Sequence, residues 1–328
     1  MPKILMENPI YRKNLNFRQF VTYLLGVVIL LSLVIFLGRN RTVLLLLKNI
    51  SIGPILLIVL FDFAIFVITG FMDRSMISRF DPRVSFWDCY MLGYANNFLN
   101  KILPTIGGGA AFRAVYLKKK YGLSYSQFVS TIAGLYVISF LPHSLVGMIC
   151  LLVIFFSQKM FSWLIFLAFM GIFLFCLVTI IFSPKITDGK NSILRFLGSI
   201  FEGWQILKGD KKLIATYAFF SMMLLVFAAA QAYLSYDALG VQTNMISMVF
   251  LATLGIILAF LNFTPDGIGV KEGVYAFSSD LVQIPNGVLV LGSLLLRGIS
   301  ICTTFVIGGV CYLYLSRRLN QLEDQAGK

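Results

Sequence analysis

Two charged residues sit where unbroken apolar runs leave little room for charge. Asp62 lies midway along LLIVLFDFAIFVITG, and Arg297 lies near the middle of VLVLGSLLLRGISICTTF. A charge at the centre of a membrane span costs about 2.5–3.5 kcal/mol on insertion scales, so each is a functional candidate by default. One reading is a polar cavity in which Arg297 grips a phosphate while Asp62 sets the charge or carries a proton. The other is a structural ion pair that locks two spans together.

Two further stretches repeat one order of residues. FLN at 98–100 is followed by KILPTIGGGAAFRAVYL, and FLN at 260–262 by FTPDGIGVKEGVYAF. Glycines leave backbone N–H groups accessible, and a helix that starts just beyond them offers its positive end to an anion. Gly107, Gly108 and Gly109 precede Arg113 by about one turn, and Gly267 and Gly269 precede Lys271 and Glu272. This mix of amides and cations suits a phosphate-bearing headgroup. The plainer alternative is that Pro104, Pro265 and the glycines only turn the chain, with Arg113 and Lys271 snorkelling to the interface. Asn97, Asn100 and Asn262, with Asn96, either line a polar cavity or cap broken helices.

Enzymatic chemistry finds no support. Neither glycine stretch carries the GK[ST] ending of a nucleotide P-loop, and no GxSxG is present. The single histidine, His143, excludes His-rich metal sites, and five scattered cysteines form no CxxC. The chain is therefore expected to be no enzyme and to need no metal or cofactor.

The elements that must position these residues follow from composition. The 328 residues are 59% hydrophobic and 12% charged, with a mean hydropathy of +0.87. Soluble domains carry roughly 25% charged residues, so this chain needs the bilayer as its solvent. The net charge of +13 reads as cytoplasmic flanks and attraction to anionic membrane lipids, not as nucleic-acid binding. Spans are predicted at about 20–37, 52–72, 127–157, 161–182, 213–235 and 286–315. The first is read as uncleaved, and Pro142 is a candidate kink. The stretches 86–117 and 245–276, each broken near its middle by proline and glycine, are predicted to be re-entrant hairpins.

The expected fold is thus an all-α polytopic membrane protein with eight apolar segments. Each half holds three transmembrane helices and one re-entrant hairpin: residues 1–158, with hairpin 86–117 opening to the cytoplasm, and residues 159–328, with hairpin 245–276 opening outside. An odd number of spans per unit inverts the second unit, and such inverted repeats place a substrate site where broken helices meet near the midplane. Basic residues put both termini in the cytoplasm and the chain in the cytoplasmic membrane, although Arg39, Arg41 and Lys48 fall on the outer side.

NNFLNKILPTIGGGAAFRAVYLKKKYGLS resembles the first signature of the lysylphosphatidylglycerol synthase transmembrane family, also called flippase-like domain proteins. TPDGIGVKEGVYAF is similar to that family's second signature, and LLLRGIS to its later membrane-embedded arginine. By that likeness Asn97, Pro104, Gly108, Arg113, Pro265, Gly267, Gly269, Glu272 and Arg297 take the signature positions. Two departures bear on substrate preference: Tyr136 stands where members often carry Arg or an acid nearby, and Asp266 stands where the second signature has Gly.

The resemblance implies lipid translocation. In bifunctional members this region flips aminoacylated phosphatidylglycerol made by a cytoplasmic synthase domain. This chain has only a short tail after its last span, so a stand-alone flippase that makes no lipid itself is expected. Its substrate would be an aminoacyl-phospholipid, a glycolipid or another lipid-linked headgroup. The competing expectation is a non-transporting partner that anchors a glycosyltransferase or lipid synthase. Oligomerisation is compatible with either.

Overall fold

Lipid offers no hydrogen bonds to the backbone, so spanning segments must satisfy their own N–H and C=O groups. The computed structural model describes residues 45–102, 108–181, 204–259, 267 and 269–326, and every regular element among them is helical. The predicted span 20–37 and the hairpin residues Pro104, Gly107, Asn262 and Pro265 lie outside the described residues.

In chain order the helices are α1 (Ile52–Ile77), α2 (Phe86–Ile102), α3 (Gly108–Tyr121), α4 (Tyr125–Gln158), α5 (Trp163–Ile181), α6 (Lys211–Asp237), α7 (Met245–Leu258), α8 (Val270–Phe277), α9 (Ser279–Val282), α10 (Asn286–Thr303) and α11 (Gly309–Ala326). A π turn, Thr304–Gly308, joins α10 to α11, and together they form one long apolar span, Asn286–Leu322. With α1, α4, α5 and α6 this makes, among the described residues, five helices long and apolar enough to cross a membrane. Their lipid-facing side chains include Leu56, Phe156, Trp163 and Phe175, all exposed.

Local signals explain the starts. Ser124 caps α4 by accepting the Gln127 N–H at 3.2 Å, and the Gln127 side chain accepts the Ser124 N–H at 2.9 Å. This reciprocal pair satisfies two otherwise orphaned donors. Asp210 and Asn244 cap α6 and α7 through the N–H groups of Leu213 and Ile246. The helix α4 continues through Pro142.

The two interrupted stretches are built from shorter helices. At about 1.5 Å per residue α2 and α3 are roughly 25 and 21 Å long, short of a hydrocarbon core of about 30 Å. They fold back on each other. The Ser85 N–H reaches the Tyr121 hydroxyl at 3.3 Å at one end, and the Gly109 N–H reaches Asn100 Oδ1 at 3.0 Å at the other. In the second stretch Tyr275 on α8 donates to the Leu251 carbonyl on α7 at 2.8 Å.

Packing is organised around these short helices. The helix α2 lies against α1 and the α10–α11 span, while α7 lies against α6 and α4. One buried cluster, with Leu92, Tyr116 and Leu315, gathers on the first hairpin; another, with Phe169, Phe250 and Tyr275, gathers on the second. Small residues let helices approach, as expected where no hydrophobic force separates protein from lipid. Gly147 faces the Phe169 ring, and Gly292 faces Tyr236.

Candidate functional site

The second glycine stretch needs its glycines for backbone reasons. Gly267 has φ 66° and Gly269 has φ 85°, a region that side chains disfavour. The turn leads straight into α8, where Glu272 Oε2 accepts the Gly269 N–H at 2.8 Å. The other carboxylate oxygen of Glu272 lies 2.9 Å from Arg297 Nη2 and takes a 3.4 Å bond from the Ser293 hydroxyl. Both charged side chains are nearly buried, at 11% and 2% exposure for Arg297 and Glu272. The ion pair thus joins α8 to α10, and Arg297 pairs with Glu272 instead of Asp62.

Asp62 is buried on α1 and held by neutral donors. Gln231 Nε2 on α6 reaches Asp62 Oδ1 at 3.1 Å and also the Ile58 carbonyl at 3.1 Å. The Thr303 hydroxyl donates to Asp62 Oδ2 at 2.6 Å. These two donors fix the orientation of the Asp62 side chain, and losing either would leave a buried acceptor unpaired, at a cost of about 1–3 kcal/mol.

These groups open on one cavity of ≈ 240 Å³. Asp62, Asn97, Gly267, Lys271 and Arg297, all singled out in the sequence, line it. So do Lys101, Gln231 and Ser300, which sequence reasoning did not select. The cavity lies between the end of α2, the end of α7, the start of α8, and α1, α6 and α10. Among the described residues three cations and one carboxylate face it, and Glu272 stands behind Arg297. Counting that carboxylate, the formal balance is one net positive charge.

Arg113 and Asn100 are placed elsewhere. Asn100 caps the start of α3 through the Gly109 N–H. Arg113 is buried in α3 with Nη2 2.7 Å from Asp73 Oδ1 on α1, and its guanidinium lies 5.8 Å from the Phe128 ring centroid. Neither lines the cavity. The paired tip of Lys271 and Glu272 is also divided: Lys271 faces the cavity and the Tyr275 ring, and Glu272 faces Arg297. Gly108 and Gly109 start α3, and Gly109 packs directly against the Asn96 carbonyl.

Asp73 and Gln231 were missed for a shared reason. Each is a polar residue in an apolar span, the signal that exposed Asp62, but only the fold shows which neighbour it serves.

Curated relatives span the same length. A UPF0104 membrane protein of Methanocaldococcus jannaschii is 23% identical over 92% of this chain and 96% of its own. A UPF0104 membrane protein of Methanothermobacter thermautotrophicus is 21% identical over 93% and 95%. Residues 23–308 match the family of the lysylphosphatidylglycerol synthase TM region, which includes both hairpins and the entire cavity lining. The chain is therefore a multi-pass membrane protein belonging to the lysylphosphatidylglycerol synthase TM region family.

Proposed function

We propose that the protein is a lipid flippase whose 240 Å³ cavity takes the phosphate-bearing headgroup of a phospholipid or lipid-linked substrate. The carrying observation is the lining itself: Lys101, Lys271 and Arg297 converge with Asp62, Asn97 and Gln231 inside a bundle of membrane-spanning helices. At about 30 Å³ per water in the liquid, the volume equals roughly eight waters. That suits a headgroup and leaves the acyl chains in lipid. The net positive charge of the described lining favours an anionic group, and Asp62 offers the acceptor that a headgroup ammonium or a proton would use.

Alternating access fits the packing. The helix α2 contacts α1 of its own half and the α10–α11 span of the other; α7 contacts α6 of its own half and α4 of the other. Exchanging the halves maps one set of contacts onto the other, which supports an inverted repeat of three spans and one re-entrant hairpin per half. On the basic-residue distribution the termini face the cytoplasm and the membrane is the cell membrane. Transport would be driven by a gradient or by removal of product, with no enzymatic step in this chain.

The test is reconstitution into liposomes with fluorescent phospholipids. Wild type should move label between leaflets, and Arg297→Gln paired with Glu272→Gln should slow it at least tenfold while the protein stays folded. Movement at the wild-type rate in that double variant rejects the site.

A further inference from the structure

A second opening, of ≈ 580 Å³, lies between the mouth of the first hairpin and the α10–α11 span, and shares no lining residue with the central cavity. Its polar end is built on Asp88, a buried carboxylate on α2. Asp88 accepts hydrogen bonds from the Tyr116 hydroxyl at 3.3 Å and from the Tyr121 hydroxyl, and pairs with Lys120. Arg318 on α11 joins through Nη1 at 3.3 Å. Among the described residues two cations thus share one carboxylate, leaving one net positive charge at the opening. A guanidinium has five N–H donors, and the Arg318 side chain is still 41% exposed.

From Arg318 the groove runs along α11 to Tyr314, Cys311 and Val310. Eight residues at about 1.5 Å each carry it roughly 12 Å away from the charge. Along that distance the wall becomes apolar: Val310 is 66% exposed, Tyr314 52%, and Trp87 on the opposite lip 65%. A cationic end with a carboxylate-bound geometry, an apolar trough of that length, and an aromatic lip match the parts of one molecule class. A soluble anion would use the charge and leave the trough empty; an apolar molecule would do the reverse.

We infer that this groove is a binding site for an anionic phospholipid held from the surrounding membrane, its phosphate on Arg318 and Lys120 and an acyl chain along Val310 and Tyr314. The inference does not depend on transport, since a lipid can be retained here whether or not the central cavity moves one.

The test counts lipid on the full chain. Protein purified in mild detergent is exchanged into micelles holding equal amounts of phosphatidylglycerol and phosphatidylcholine with matched acyl chains, and bound lipid is read by native mass spectrometry. Wild type should retain phosphatidylglycerol in preference to phosphatidylcholine. Arg318→Gln should lower that preference about fivefold, the effect of one interfacial cation. Val310→Phe should reduce retention of both lipids by filling the trough. Both positions are solvent- or lipid-accessible, and matched melting curves verify the fold. Equal retention of the two lipids, or retention indifferent to both substitutions, overturns the proposal. So does release of phosphatidylglycerol by millimolar inorganic phosphate, which would mark a free-anion site. Absence of any retained lipid overturns it too.

Discussion

Arg297 Nη2 sits 2.9 Å from Glu272 Oε1, while the second oxygen of Glu272 holds the Gly269 N–H at 2.8 Å. One carboxylate therefore connects a span-borne arginine to the glycine turn beside the cavity. Breaking a buried ion pair by removing one partner costs about 3–5 kcal/mol. Arg297→Ala and Glu272→Ala should each destabilise by that order, and the double variant by clearly less than the sum. Thermal unfolding in detergent measures the coupling.

Arg113 and Asp73 form the second buried pair, 2.7 Å apart and outside the cavity. Replacing both with apolar residues of similar size is often neutral or stabilising, whereas single replacements cost about 3–5 kcal/mol. Arg113→Met with Asp73→Leu should fold and keep lipid movement within about twofold of wild type, read in the liposome assay. Loss of movement in a folded double variant would return Arg113 to the substrate path.

Gln231→Leu should destabilise by about 1.5–3 kcal/mol, because Asp62 and the Ile58 carbonyl both lose a buried donor. Adding Asp62→Leu should recover part of the loss. Denaturant titrations of the two variants give the comparison.

Gly109→Ala should damage the first hairpin. A Cβ there would come within 2.7 Å of Asn96 Oδ1, and closer still to the Asn96 carbonyl oxygen, which does not yield. Overpacking of this kind costs about 1–3 kcal/mol. Gly171→Ala on α5 meets nothing within 4 Å and should be neutral or stabilising by up to about 1 kcal/mol. Melting temperatures of the pair separate backbone approach from helix propensity.

Hydropathy located the spans that the structure describes because twenty apolar residues in a row have few other uses. The predicted 52–72 and 213–235 became Ile52–Ile77 and Lys211–Asp237, extended past the apolar run to polar caps and turns. The intramembrane charges Asp62 and Arg297 also pointed to one place, since both line the cavity. Their partners were not legible. Asp62 meets Gln231 across 169 residues and Thr303 across 241, registers that only helix packing fixes. Arg113 read like Arg297 in sequence, yet α3 turns it toward Asp73. Lys101, which sequence reasoning did not select, reaches the cavity from the end of α2.

The π turn Thr304–Gly308 separates Arg297 from Arg318 on one continuous span. Such a turn is an α-helix carrying one residue too many, and Gly308 fits it by bringing its Cα against the Tyr94 carbonyl. The extra residue is taken up inside the turn, with Arg297 facing the cavity on one side of it and Arg318 facing the Asp88 groove on the other. Deleting a single residue there would remove the bulge and restore regular winding, leaving the residues on either side close to their present faces. A deletion in the regular part of α11 before Val310 has no bulge to absorb it and would rotate everything after it by about 100°. Arg318, Tyr314 and Val310 would then leave the groove while Arg297 stayed with Glu272.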